Sequence, residues 1–187
     1  MVAPVIIRKR FTTHEYEQII AAGVIGEDDR VELLEGEIVE MSPIGPSHSS
    51  CVVRLTRLLY QLDEPGFVIR VQDPIHLDEY SQPQPDISVV QQRDDLYASG
   101  HPEPEDILLL IEVAESSLSY DCDTKLALYA RAGIPQVWIV ALLPQIVEVF
   151  RSSGHNGYSE ATVFHRGDTL SALNLPQLTL TVDSILG

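Results

Sequence analysis

The chain has 187 residues, 44% of them hydrophobic and 21% charged, which is enough to bury a core without disulfide or metal staples. No run approaches the roughly 18 apolar residues of a membrane span, and Cys51 and Cys122 form no CxxC motif, which argues against a disulfide framework or zinc knuckle. Twelve basic against 28 acidic residues leave a formal net charge of −16, which repels nucleic acid at long range and argues against a passive DNA-coating protein.

That balance leaves room for an enzyme that meets DNA through a local basic patch and a bound divalent cation. The opening MVAPVIIRKRF is apolar before its basic cluster, the reverse of a secretory signal, so the expected location is cytoplasmic. The expected organisation is one domain over residues 1–187.

Thr12 and Glu15 have capping-box spacing, and Phe11 and Tyr16 fall where a hydrophobic staple would sit. They predict a helix from Thr13 to about Ala22, stopped at Gly23. VELLEGEIVEM follows, two apolar runs split by Glu35-Gly36, and reads as a β-hairpin. After Pro43, Gly45 and Pro46, Ser47 offers an N-cap. Cys51, Val52, Leu55, Leu58, Leu59 and Leu62 then keep helical spacing.

Beyond Pro65-Gly66 the pattern turns to strands: FVIRVQ, IHLDE and DISVV. The polar QRDDLYASGHPEPED reads as an exposed connection. ILLLIEV reads as a fully buried strand, because its apolar run is unbroken rather than alternating. Asp123 or Thr124 is the expected cap of a helix through LALYARA, closed by Gly133 and Pro135. VWIVAL and IVEVFR read as a strand pair, SSGHNG as a turn, and YSEATVF as a late edge strand. Strands mixed with helices in this order predict an α/β domain, with a central mixed sheet flanked by helices behind an N-terminal helix and hairpin.

The chemistry gathers around 106-DILLLIEVAESS-117. Glu112 closes a strand of large apolar residues, and an isolated buried carboxylate costs several kcal/mol unless a cation compensates it. Asp86 opens DISVV. If the two strands are neighbours, the carboxylates converge, repel and raise each other's pKa, and a divalent metal with hard oxygen ligands relieves that repulsion. Lys125 stands nearby in sequence, able to hold an attacking water or offset charge on a phosphate. The plainer account is a Glu112–Lys125 ion pair that pins strand to helix, and the residues alone leave both open.

LLEGEIVEMSP with His48 following, QPQPDISVV, IEVAESS, DCDTKLALYARAGI and PQVWIV occur in that order over residues 12–182. On these pieces the chain resembles a restriction-endonuclease family of the PD-(D/E)XK nuclease superfamily, long catalogued as a domain of unknown function. The resemblance implies a restriction-endonuclease-like fold and a Mg2+-dependent endodeoxyribonuclease, with Mn2+ as a substitute and DNA as partner, paired as a homodimer.

It further implies Asp86 and Glu112 as catalytic metal ligands, with the backbone carbonyl of Val113 as a third. The superfamily's lysine stands two residues after the glutamate, where this chain has Ala114, so Lys125 is the relocated lysine. Glu35 matches an acidic position of the hairpin and His48 a histidine at a helix start. Relatives carry an acid after the WIV strand, where this chain has Ala141. Arg54 and Arg57, on the polar side of the second helix, are candidate DNA contacts, as is His48. The rival expectation is a catalytically silent nuclease-fold module that binds DNA or protein, and Ala141 and the acidic balance speak for it.

Overall fold

The computed structural model describes residues 8–26, 28–62, 66–115 and 120–187, without the side chains of residues 120–122. Helix α1 (Thr13–Ala21) carries the expected capping box between Thr12 and Glu15, and Gly23 follows its C-cap at φ +71°. Strands β1 (Val31–Leu34) and β2 (Glu37–Glu40) form the expected antiparallel hairpin. Glu35 and Gly36 between them both have positive φ, 50° and 81°, as a tight two-residue turn of this hand requires. Helix α2 (Pro46–Tyr60) buries Cys51, Val52, Leu55 and Leu59. Its N-cap is Gly45 rather than Ser47: proline's fixed φ and missing N–H suit the first helical position, which moves the start two residues back.

The six-stranded sheet runs in the order β3 (Phe67–Val71), β4 (Ile87–Gln91), β5 (Ile107–Ala114), β6 (Gln136–Ala141), β7 (Ile146–Gly154), β8 (Gly157–Phe164). Only the β5–β6 pair is parallel. Helix α3 (Tyr120–Arg131) makes the crossover between them. It begins before Asp123 and Thr124, which therefore lie inside it and do not cap it. The expected edge strand is β8. A short antiparallel pair, β9 (Thr169–Ser171) and β10 (Thr179–Thr181), and a last helix, α4 (Val182–Leu186), follow without having been anticipated.

IHLDE is no strand of the sheet. Its N–H groups bond instead to the carbonyls of Pro83, Pro102 and Ser81, and only an isolated Asp78–Ser81 bridge forms. Pro74, Pro83 and Pro85 supply no N–H and deny the segment a continuous ladder. The connection after β4 is mostly exposed, as its polarity suggests, but it carries a buried aromatic anchor. Tyr97 is buried there, donates its hydroxyl hydrogen bond to Gln91 O at 2.8 Å, and precedes a 3-10 turn at Pro104–Asp106.

The alternation of β5 decides what packs where. Leu109, Ile111 and Val113 join Trp138 and the α2 and α4 side chains in one core, while Leu110 and Ala114 join Leu34, Leu128, Tyr129 and Ile139 in the other. Burial on both faces is why the run shows no polar alternation. Glu112 shares the parity of Leu110 and Ala114, which sends it to the face covered by α3 and the hairpin. No helix of the described residues is long and apolar enough to cross a membrane.

The hairpin turn is the tightest approach near this face. A Cβ on Gly36 would lie 2.7 Å from Arg10 Cβ, at a φ that L side chains rarely adopt. Gly36→Ala is expected to lower stability by more than about 1 kcal/mol, read as an earlier urea midpoint at unchanged slope.

Candidate functional site

Antiparallel pairing sets Ile87 of β4 against Ile111 of β5, so Asp86 and Glu112, one residue further on each, meet at the end of the sheet. The backbone ties them reciprocally: Asp86 N–H donates to Glu112 Oε2 at 3.3 Å, and Val113 N–H donates to Asp86 Oδ2 at 2.9 Å. Both residues are buried, at 9% and 7% exposure. The structure thus brings together the two acids that the sequence singled out.

Lys125 reaches them from α3. Its Nζ lies 3.4 Å from Glu112 Oε1, 3.0 Å from Glu32 Oε2 and 3.3 Å from the Gln84 carbonyl, so all three ammonium hydrogens have acceptors. Tyr129, one helical turn on, donates its hydroxyl to Glu112 Oε1 at 2.6 Å. Glu32 Oε2 also accepts from Gln84 N–H at 3.0 Å.

On the other side Asp86 is held by two neighbours. His48, in the first turn of α2, sits with Nε2 2.9 Å from Asp86 Oδ2, and Gln72 donates its side-chain amide to Oδ1 at 3.2 Å. Gln72 does this from positive φ, 53°, a conformation uncommon outside glycine and concentrated at functional sites.

The electrostatics follow from this wiring. Burial pushes the Glu112 carboxyl up, and Asp86 and Glu32 push with it against the pull of Lys125 and Tyr129. Burial also works against the Asp86 carboxylate, but the hydrogen bond and charge of His48 and the Val113 N–H outweigh it and hold its pKa below the usual range. The bond to Asp86 raises His48 in turn. Burial alone would discharge Lys125; Glu112 and Glu32 overcome it and raise its pKa, so the ammonium keeps its proton.

The site opens into a cavity of about 290 Å³ between the hairpin, the loop at residues 41–45 and the sheet end. Its walls carry Glu32, Glu40, Asp86, Glu112 and Glu115 against two permanent cations, Arg30 and Lys125, with His48 as a third group able to hold charge. Among the described residues no three His, Cys, Asp or Glu side chains converge as a ligand set. The donor chemistry nonetheless suits a hard divalent ion. It offers two carboxylates at adjoining strand ends and the backbone of Val113 beside them, in a cavity with excess negative charge, and Mg2+ keeps several of its waters.

The other candidates lie elsewhere. Glu35 sits in the hairpin turn, half exposed, paired with Arg131 at 2.6 Å, and does not line the cavity. Arg54 donates Nη1 to the Ile185 and Leu186 carbonyls at 2.9 and 2.8 Å and so closes the end of α4. Arg57 is exposed on α2. Ala141 is fully buried beside Ala114, its partner across the parallel ladder.

Glu32, Gln84, Gln72 and Tyr129 were not anticipated. Two of them left a signal. Tyr129 stands four residues after Lys125, on the same helix face. Glu32 shares the strand parity of Leu34, which packs in the core with Leu128 and Tyr129 of α3, and so lies on that face.

Comparison with known proteins places these features. The family model named Uma2 and described as "Putative restriction endonuclease" matches residues 13–183. None of the curated proteins matches the chain. Among solved structures the chain is similar to a crystal structure titled as a "putative nuclease belonging to DUF820" from Anabaena variabilis ATCC 29413. The TM-score is 0.72 at 16% identity, over 94% of this chain and 97% of that one. At that identity the likeness shows a shared fold.

The wiring predicts an order of mutational costs. Lys125→Met leaves Glu32 and Glu112 buried with no cation between them and is expected to cost about 3–5 kcal/mol. Tyr129→Phe removes one donor and is expected to cost about 1–3 kcal/mol. Urea unfolding of both variants checks the order; equal midpoints would contradict it.

Proposed function

We propose, from the premise that the chain belongs to the Uma2 family, described as "Putative restriction endonuclease", that it is an endonuclease hydrolysing DNA phosphodiester bonds with a divalent metal ion. The observation that carries the reading is the convergence of Asp86 and Glu112 in a cavity whose acids outnumber its fixed cations. Asp86, Glu112 and the Val113 carbonyl would hold Mg2+, or Mn2+ in its place, which when bound would polarise a phosphoryl oxygen and lower the pKa of the attacking water.

The chain's own groups divide the remaining work. Lys125 stays protonated, so it acts as a donor and not as a base. It steadies the attacking water or the charge that develops on the phosphate, and must loosen one of its three present contacts to do so. Tyr129 and the Asp86 N–H fix the two oxygens of Glu112, and Val113 N–H, His48 and Gln72 fix those of Asp86. Reacting geometry tolerates little displacement, so this bracing matters for rate. Arg30 lines the same cavity, with Nη1 tied to the Ser42 carbonyl at 2.8 Å, and brings a second fixed charge to the phosphate. Homodimerisation belongs to the same reading, with β8 at the open edge of the sheet as its surface.

A catalytically silent module is the second reading, favoured by the full set of acceptors around Lys125. The two separate in one experiment. With Mg2+ or Mn2+ the protein is expected to nick supercoiled plasmid, and Glu112→Gln and Lys125→Ala to lose at least about a hundredfold in rate. Mn2+ is also expected to raise the melting temperature of the wild type by mass action, but not that of Asp86→Asn. No nicking with either ion, together with an unmoved melting temperature, would leave the silent module standing.

A further inference from the structure

The hairpin face that supplies Glu32 to the site continues past it. Residues 30, 32 and 34 share one parity along the first strand, and the register Glu32↔Val39 and Leu34↔Glu37 sets Val39 and Glu37 on the same side. A second cavity, of about 440 Å³, lies along this continuation, lined by Arg8, Arg10, Leu34, Glu35, Glu37 and Thr124. Val39 lines both cavities, and Thr124 precedes Lys125 on α3. Sharing Val39 and meeting neighbouring positions of α3, the two cavities lie end to end along the four-residue strand, which spans roughly 13 Å.

The two cavities differ in charge. Five acids face the reaction end against Arg30 and Lys125. At the far end two arginines, Arg8 and Arg10, stand against two acids, Glu35 and Glu37. Glu35 is neutralised by Arg131 at 2.6 Å, and Arg8 meets Glu37 only at 3.9 Å with both side chains mostly exposed, a pairing worth little in water. Arg10 is built into place. Its Nε donates to the Glu35 carbonyl at 2.7 Å and its guanidinium lies 4.6 Å above the Tyr80 ring. Both Nη groups are left without a hydrogen-bond partner among the described residues. An arginine fixed by its inner nitrogen and an aromatic face, with its outer fork open, is suited to bidentate contact with phosphate.

We infer that this far cavity, through Arg8 and Arg10, is a phosphate-binding subsite that holds the DNA backbone away from the bond being cut. The identity of the ligand rests on the nuclease reading; the location rests on the cavity. In a chain of net charge −16, attachment to DNA has to come from such a local patch. The subsite also gives the strand a direction, with its backbone anchored at the arginine end and its reacting phosphate at the acidic one.

The test is fluorescence anisotropy of a short fluorescein-labelled DNA duplex, with Ca2+ in place of Mg2+ to hold back cleavage, across a salt series. Arg8→Glu and Arg10→Gln are each expected to weaken binding about tenfold and to reduce the slope of log K against log salt by about one. Arg166→Gln, exposed beyond β8 and paired with Asp183 of α4, is expected to change neither. Urea midpoints verify that each variant is folded. Wild-type binding from which both arginine variants are indistinguishable, a slope that responds to Arg166 instead, or no duplex binding at all would overturn the subsite. Duplex binding that depends on Arg8 and Arg10 without any metal-dependent nicking would sustain the subsite while sinking the catalytic reading. Nicking that is indifferent to both arginines would do the reverse.

Discussion

One ammonium group joins three parts of this molecule that are remote in sequence. Lys125 Nζ on α3 meets Glu32 of the hairpin, Glu112 of β5 and the carbonyl of Gln84 ahead of β4. Each acid alone would be a buried charge costing several kcal/mol. Together around one cation they become a clamp that seats the hairpin and the crossover helix on the same face of the sheet. The site is therefore part of the fold's own charge bookkeeping, which explains why removing the cation threatens stability as well as chemistry.

The clamp is incomplete in charge. Two carboxylates share one lysine, and Asp86 beside them relies on His48, a histidine whose charge depends on pH. A cavity left with surplus negative potential is poorly made for a phosphodiester, yet well made for a small divalent ion that would then attract one. The large negative charge of the chain and the proposed nucleolytic role are thus compatible: the acidic end would recruit the cation, and only a limited basic surface would need to meet the polyanion.

How much of this the sequence discloses depends on how local each signal is. Asp86, Glu112 and Lys125 are legible because each breaks a pattern: two acids at the ends of apolar strands, and a lysine near the start of a helix. The hairpin and α1 are legible from turn and cap chemistry that needs no tertiary context. Glu35 against Glu32 shows where local reading stops. Both flank the same apolar run, and only strand parity combined with knowledge of which face meets α3 selects Glu32. Gln84 carried no signal because it acts through its backbone N–H and carbonyl, and Gln72 none because its side-chain amide meets Asp86 only through the positive-φ turn after β3. The β9–β10 pair and α4 were passed over because their segments are three to five residues long, too short for periodicity to register.

Ala114 stands where the superfamily pattern has its lysine, and Ala141 where relatives carry an acid. They are partners across the β5–β6 ladder, both buried, at exposures of 6% and 0%. A lysine at 114 would project beside 141, and an acid at 141 would find its cation there. With the cation supplied by α3 instead, an acid at 141 would face a neutral neighbour in a closed ladder and gain nothing to offset its desolvation. Alanine at both positions lets the parallel strands close without an unpaired charge. Moving the amine to the helix also places it one turn from Tyr129, so that one rigid element grips both Glu112 and Glu32. On the proposed reading, in which Lys125 stands in for the superfamily's lysine, alanine at 114 and 141 is compatible with a buried ladder that holds no unpaired charge.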